Sequence, residues 1–311
     1  MSTPLNPLPP EQLELPQELA PQQTMGIPGT GLQPDLQSGL PSGVGSGGFF
    51  GAAARARRED PAWTIWDVLL LVVIFVVMTF IAIPITEVVV GASHLFGYSL
   101  NQILHNRKEL DRFWSDLRII LPVQLLIYAF LLFVMVRLVR ARARVEQGFF
   151  VNLRWRWPRD IWPGFLLGGT ILAIAVQWIS ARLPVPPSLP IEQYFQTPTY
   201  AYLMAGFGIL VAPFIEELFF RGFLYPALAR PLGVAAAVVL TSVPFTLMHG
   251  LQLSFAWAPM LMLLIVGVAL GLVRARTKSL APSVLVHIGY NTTIFAMIFI
   301  DTGGFRHLEK M

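Results

Sequence analysis

The chain has 311 residues, of which 55% are hydrophobic and only 13% are charged. A soluble domain carries roughly 25% charged residues, so this composition indicates a membrane protein with several spanning segments. The absence of cysteine excludes disulfides, thiolate nucleophiles and cysteine-ligated zinc. The net charge of +4 comes with no nucleic-acid-binding motif, and we interpret it as a signal of membrane topology rather than of nucleic-acid binding.

Residues 1–60 are rich in proline, glycine, glutamine and serine. Such a segment cannot bury enough apolar surface to offset its ordering entropy, so we predict a disordered cytoplasmic tail. No charged start followed by an apolar core is present at the N-terminus. We therefore expect no cleavable signal peptide, and the first span serves as the insertion signal.

Residues 61–300 contain several apolar segments of about the length needed to cross a bilayer, and we predict that they form a transmembrane helical domain. Seven are predicted as helices: 63–90, 119–139, 161–181, 200–228, 234–249, 258–273 and 282–300. A polar connector with a short surface helix is expected at 91–117, and a short C-terminal tail at 301–311. The predicted fold class is an all-α, polytopic transmembrane helix bundle with about seven spans, six to eight being compatible with the sequence.

Basic residues concentrate in two of the predicted loops. The loop between the second and third segments carries Arg137, Arg140, Arg142, Arg144, Arg154, Arg156 and Arg159, and that between the sixth and seventh carries Arg274, Arg276 and Lys278. Cytoplasmic loops carry an excess of lysine and arginine. We therefore predict a multi-pass protein of the plasma (inner) membrane, with a cytoplasmic N-terminus and an external C-terminal tail.

Two adjacent carboxylates and an arginine interrupt the fourth apolar segment in the pattern Glu216-Glu217-x-x-x-Arg221. A charge at the centre of a spanning helix costs roughly 2.5–3.5 kcal/mol, and such residues usually have a function. Glu217 and Arg221 are four apart and share a helix face, whereas Glu216 is rotated by about 100 degrees. Arg221 can thus neutralise one carboxylate and leave the other as a general base. The alternative is an ion pair that only holds the helix in place.

Two further pairs have the same spacing of four, Phe245-x-x-x-His249 in the fifth segment and His287-x-x-x-Asn291 in the seventh. Histidine is the side chain best suited to proton transfer near neutral pH. The simpler interpretations are an interfacial histidine at the end of a helix for His249 and an interhelical hydrogen bond for Asn291.

Three motifs, in chain order, carry a resemblance to a known family: Glu216-Glu217-x-x-x-Arg221, Phe245-x-x-x-His249 and His287-x-x-x-Asn291. Together they resemble the type II CAAX prenyl endopeptidase and bacteriocin-processing family of intramembrane proteases, also called CPBP or Abi. The resemblance covers a motif-bearing core at about residues 160–300. It implies a membrane-embedded endopeptidase that acts on a membrane-associated peptide or protein.

The resemblance also implies catalytic roles for the matching residues. Glu216 would be the general base that activates water, with help from His249. Arg221 would orient or neutralise Glu217.

In the same family, the positions matching His287 and Asn291 stabilise the oxyanion of the tetrahedral intermediate, which is usually the largest single contribution to catalysis. A zinc mechanism is the rival, because Glu216, His249 and His287 match a His₂Glu set with one open position. We favour the mechanism that requires no cofactor, since an asparagine suits an oxyanion better than a metal ion.

Several properties stay open at this point. Prenylated proteins are the family's named substrates, but no feature of this sequence names its own substrate or its oligomeric state. The main non-enzymatic alternative is a transporter or scaffold with a polar proton-relay pocket. No internal repeat is found, which argues against a transporter.

One geometric difficulty follows from seven alternating spans. Alternation places His249 near the outer end of its helix, whereas Glu216 lies at mid-span. Contact between them requires either a tilted fifth helix or a re-entrant segment at 251–257.

Overall fold

The computed structural model describes residues 61–143, 148–184 and 186–310. The predicted tail of residues 1–60 and Arg144 of the basic loop lie outside this range. Within these three ranges the regular structure is entirely helical, which confirms the predicted all-α class.

Ten helical segments carry the described fold. They are α1 Ile65–Ala92, α2 Leu100–His105, α3 Arg107–Phe113, α4 Leu117–Arg142, α5 Phe149–Asn152, α6 Trp162–Ser180, α7 Pro198–Leu232, α8 Val234–Met248, α9 Trp257–Thr277 and α10 Leu280–Asp301. Short 3₁₀ turns lie at Leu95–Gly97, Pro190–Tyr194, Leu251–Leu253 and Leu308–Lys310. The predicted connector at 91–117 accordingly holds a 3₁₀ turn and the two short helices α2 and α3.

Six of these segments, α1, α4, α6, α7, α9 and α10, are long and apolar enough to cross a membrane. The seventh predicted span, α8, has only 15 residues, about 22 Å of helix. That length falls short of a hydrocarbon core of roughly 30 Å. The chain is an integral membrane protein with six candidate spans and one shorter apolar helix in the described residues.

The ends of α1 and α4 are tied together next to the basic loop. Thr64 and Asp67 form a capping box at the start of α1, in which each side chain accepts the other residue's backbone N–H. The Asp67 carboxylate also accepts a hydrogen bond of 2.6 Å from Arg142 Nη2 at the last turn of α4. These contacts fix the two helices as an antiparallel hairpin.

The two basic loops meet at the same end of the bundle. Ser279, just before α10, accepts a hydrogen bond of 3.0 Å from Arg156 N and donates one of 2.9 Å to Arg156 O. The backbone N–H of Leu280 donates to Arg154 O at 3.2 Å. The loops that the sequence predicts to share one side of the membrane therefore lie side by side.

Helices α6 and α10 touch through their backbones. A Cβ at Gly169 would lie 2.1 Å from the carbonyl oxygen of Val286, and one at Gly289 would lie 2.2 Å from that of Leu166. Only glycine allows this approach. Further along, Thr293 Oγ1 donates to Thr170 Oγ1 at 3.0 Å.

Helices α8 and α9 pack antiparallel, with Val238 beside Gly271 and Ser242 beside Gly267. Gly267 is the central residue of α9, ten positions from each of its ends, Trp257 and Thr277. A side chain that contacts Gly267 therefore lies near the middle of the bundle.

A polar cluster at the other end of the molecule joins the 91–117 connector to the start of α7. Asp116 accepts hydrogen bonds from Tyr98 Oη at 3.1 Å, Tyr200 Oη at 2.8 Å and Arg118 Nη2 at 2.6 Å. Burial alone would raise the pKa of Asp116, but these hydrogen bonds outweigh it and lower that pKa to about 2. Burial, together with the adjacent Asp116 charge, raises the pKa of Tyr98 to about 12.

Candidate active site

The carboxylate pair lies on a short α-helical piece of α7 with π-helix on both sides. The π-helical stretches are Phe207–Val211 and Leu218–Leu224, and Ala212–Glu217 lies between them. Stretches of π-helix are rare and occur frequently at functional sites. This helix is therefore irregular where its charged residues are placed.

Glu217 forms a buried hydrogen-bonded ion pair with Arg221. Their side chains are both 0% exposed, and Glu217 Oε1 lies 2.7 Å from Arg221 Nη1. The carboxylate also accepts a hydrogen bond from Ser283 Oγ, and its Oε1 lies 3.1 Å from His287 Nδ1. Buried charges require such pairing and hydrogen bonding. Glu217 is thus saturated with partners and is not free to act on a substrate.

Arg221 connects this pair to the centre of the bundle. Its Nη2 donates to Gly267 O at 2.8 Å, and its guanidinium carbon lies 4.6 Å from the centre of the Phe245 ring. In the described part of the chain, Arg221 Nε is the buried side-chain atom without a hydrogen-bond partner. The cation–π contact with Phe245 compensates in part for that missing bond.

Glu216 faces two imidazole rings rather than the arginine. Its Oε1 lies 3.8 Å from His249 Nε2, and its Oε2 lies 3.9 Å from His287 Nε2. Both separations are too long for a direct hydrogen bond, and a gap of this size suits a bridging water. The Glu216 side chain is 9% exposed and that of His249 is 20% exposed.

Hydrogen bonds at the far side of each ring orient these histidines. His249 Nδ1 lies 2.9 Å from Phe245 O, and a carbonyl oxygen can only accept, so Nδ1 carries the proton. His287 Nδ1 faces the Glu217 carboxylate in the same way. In the neutral rings, Nε2 then holds a lone pair directed toward Glu216.

The spacing of four in the second motif explains how His249 reaches Glu216. The ring of His249 lies over the preceding turn of α8, because helical side chains tilt toward the N-terminus, and there it meets the carbonyl of Phe245 four residues back. Since α8 has only 15 residues, His249 does not reach the outer end of a full span. The 3₁₀ turn Leu251–Leu253 and left-handed Ser254 and Phe255, with φ of 53° and 50°, follow directly.

Asn291 takes a different position from the other predicted site residues. Its Nδ2 donates to Gly208 O at 2.6 Å, within the first π-helical stretch. Five of the six predicted residues, Glu216, Glu217, Arg221, His249 and His287, therefore form one cluster, and Asn291 joins α10 to the neighbouring turns of α7.

Part of the chain matches the model of a known protein family. Residues 198–293 match the model of the family described as type II CAAX prenyl endopeptidase Rce1-like. No protein of curated function and no solved structure matches the chain. The match supports a CAAX-protease-like membrane endopeptidase.

The matched segment, residues 198–293, contains all six predicted site residues and leaves α1, α4 and α6 outside it. The resemblance based on the three motifs is thereby confirmed for residues 198–293.

Two polar residues of the matched segment were missed by the sequence analysis. Ser283 is fully buried and donates to Glu217. Together with His287 and Asn291 it continues one face of α10 at a spacing of four, so the sequence did hold a signal for it. Arg274 is 1% exposed and its Nε donates to Arg221 O at 3.2 Å, whereas the sequence analysis assigned it to the basic loop.

The geometry of the cluster bears on whether it could hold a metal ion. Over the described ranges, no group of three or more histidine, aspartate or glutamate side chains is arranged to hold a metal ion. The rings of His249 and His287 nevertheless have their Nδ1 atoms in hydrogen bonds and their Nε2 atoms directed toward Glu216. Histidines that bind a metal ion are usually oriented in this way.

Proposed function

We propose that the chain is an intramembrane endopeptidase that hydrolyses a peptide bond of a membrane-associated peptide or protein, with Glu216 as the general base. One observation carries this proposal. The Glu216 carboxylate lies between the Nε2 atoms of His249 and His287, at 3.8 and 3.9 Å, in a buried site next to Glu217, whose charge is already paired. A carboxylate that faces two imidazoles, and that pairs with no lysine or arginine among the described residues, is equipped to activate water.

In this mechanism a water molecule between Glu216 and His249 loses a proton to the carboxylate as its oxygen attacks the peptide carbonyl. The carbonyl electrons move onto the oxygen and form a tetrahedral oxyanion. Collapse of this intermediate breaks the C–N bond, and Glu216 returns the proton to the leaving amine. His249, fixed by Phe245 O, orients the water through Nε2.

Donors for the oxyanion would come from α10. His287 would face the oxyanion with Nε2, the ring atom that lies 3.9 Å from Glu216 Oε2. Asn291 has a second amide N–H besides the one given to Gly208 O. Removing one such donor typically slows turnover by about 10²–10³-fold.

A zinc-dependent protease that uses Glu216, His249 and His287 is the second candidate. The engagement of both Nδ1 atoms with Phe245 O and Glu217 favours it, because ligating histidines are held in this way. Zinc held there would activate a bound water and polarise the peptide carbonyl. We favour the metal-free mechanism because Asn291 suits an oxyanion better than a metal ion.

The test is cleavage of a quenched fluorescent peptide set by the purified protein, with and without a strong zinc chelator. Glu216→Gln is the inactive variant, and Glu192→Gln, the same change in a 3₁₀ turn distant in sequence from the motifs, is the matched control. Cleavage that survives chelation and disappears in Glu216→Gln alone supports the glutamate mechanism. Loss of activity with chelator and its recovery with zinc would establish the second candidate, and retained cleavage in Glu216→Gln would refute Glu216 as the base.

The proposal extends to the substrate of the protease and to the orientation of the chain in the membrane. The family's name points to prenylated proteins, and a site near the middle of the bundle favours a substrate that reaches it from the membrane. The adjacent basic loops, tied by Ser279 and Arg156, support a common cytoplasmic side for both loops. The N-terminus would lie on that side, in the plasma (inner) membrane.

A further inference from the structure

The two π-helical stretches of α7 each receive a hydrogen bond from a neighbouring helix. Gly208 O, in the first stretch, accepts from Asn291 Nδ2 on α10 at 2.6 Å. Arg221 O, in the second stretch, accepts from Arg274 Nε on α9 at 3.2 Å. Side chains from two different helices therefore hold the backbone on both sides of the carboxylate pair.

Arg274 differs from the other basic residues near the end of α9. It is 1% exposed, and its guanidinium carbon lies 5.2 Å from the centre of the Tyr225 ring. Arg276 and Lys278, close by in the chain, are exposed. Membrane topology alone accounts for exposed cations in a cytoplasmic loop, but it does not explain a buried arginine directed at the backbone of α7.

The second π-helical stretch determines which way the charged side chains of α7 point. Successive residues of an α-helix are rotated by about 100 degrees about the helix axis. If the wide turns at Leu218–Leu224 relaxed to α-helix, the residues before them would rotate relative to those after them. Trp63 Nε1, at 3.0 Å from Phe223 O, holds the end of this stretch. The rotation would therefore act on the residues before the stretch and pull Glu216 and Glu217 away from their partners on α8 and α10.

We propose that Arg274 is a positioning residue of the active site, which holds the second π-helical stretch so that Glu216 faces the two imidazoles. The proposal rests on the proposed function for its catalytic meaning. Arg274 acts through Arg221 O, and no contact with substrate is required of it. The chemical steps proposed above stay the same, and Arg274 determines only the direction in which the Glu216 carboxylate points.

The first experiment measures turnover. Arg274→Met should lower kcat by about 10–100-fold with little change in KM, since small displacements of a catalytic group have effects of this size. Arg274→Lys should restore part of the rate, because an ammonium can still donate to Arg221 O. Arg276→Met, which removes an equal charge two residues further on, is the matched control and should keep the full rate. An unchanged kcat, or a change in KM alone, would overturn the proposal.

The second experiment does not depend on peptidase activity. Because the sequence has no cysteine, Glu216→Cys places a single thiol at the position of the base. Its alkylation rate by a maleimide depends on its exposure and on neighbouring charges, and added Arg274→Met should change that rate by about tenfold. Added Arg276→Met should leave it unchanged.

The two readouts separate the inference from the proposed function. A thiol that responds to Arg274→Met in a protein without peptidase activity would support the positioning role and refute the protease. Active protein in which neither kcat nor the thiol responds would keep the protease and refute the positioning role. Failure of both Arg274 variants to fold would assign Arg274 to general stability, which would also overturn the proposal.

Discussion

The Glu217–Arg221 ion pair gives the sharpest test of how the site is held together. Both side chains are fully buried and their closest atoms are 2.7 Å apart. Replacing Arg221 by methionine leaves a buried carboxylate with only Ser283 and His287 as partners. Removing one member of a buried pair costs about 3–5 kcal/mol, whereas removing both charges is often nearly neutral.

We therefore expect Arg221→Met to lower the free energy of unfolding by about 4 kcal/mol, including the loss of its bond to Gly267 O. The double variant Arg221→Met/Glu217→Gln should be at least about 2 kcal/mol more stable than the sum of the single effects predicts. Denaturant unfolding of the purified protein in detergent micelles, followed by tryptophan fluorescence, measures all four members of the cycle.

The matched control is Arg107–Asp111, an ion pair of 3.2 Å with the same spacing of four on an exposed helix. Its coupling energy should stay below about 0.5 kcal/mol, as for other exposed pairs. If the Arg221 and Glu217 effects were additive within about 0.5 kcal/mol, the two residues would not form an interdependent unit, and our account of the site's electrostatics would be refuted.

Two other predictions concern Asn291 and Asp116. Asn291→Ala should lower kcat by about 10²–10³-fold if its second N–H serves the oxyanion, and a change confined to KM in steady-state assays would contradict that role. The pKa of Asp116 is lowered from 3.8 to about 2, so its stabilisation is complete above about pH 4 and disappears as the pH falls toward 2. A pKa difference of this size corresponds to roughly 2 kcal/mol. In unfolding experiments between about pH 6 and pH 2, Asp116→Asn should lack this acid-dependent loss, and a wild-type-like pH dependence in the variant would contradict it.

The parts of the site that the sequence predicts share one physical basis. Residues four apart on a helix lie on one face, and this relation brings Arg221 to Glu217 and the ring of His249 to the carbonyl of Phe245. The same relation extends along α10 from Ser283 through His287, although the sequence analysis used only part of that face. Spacing within a helix is local information, so a single sequence contains it.

The remaining features depend on contacts between helices. No local sequence rule predicts the π-helical stretches at Phe207–Val211 and Leu218–Leu224. A π-helical turn is wider than an α-helical one, and the side chains of neighbouring helices stabilise it. Arg274 resembles any other loop arginine until α9 is placed beside α7. The end of α8 at Met248, by contrast, agrees to within one residue with the predicted segment 234–249.

The close contact of α6 and α10 limits how a polypeptide can approach Glu216. Gly169 and Gly289 leave no gap between those two backbones, and opening that seam would break many contacts at once. Helix α4, by contrast, meets α7 through stacked side chains, with Tyr128 over Phe207 at 5.9 Å between ring centres. Aromatic rings can swing aside by changing rotamers while the helices stay in place. Rotamer changes of Tyr128 and Phe207 would therefore loosen the contact between α4 and α7, whereas no side-chain movement could separate α6 from α10.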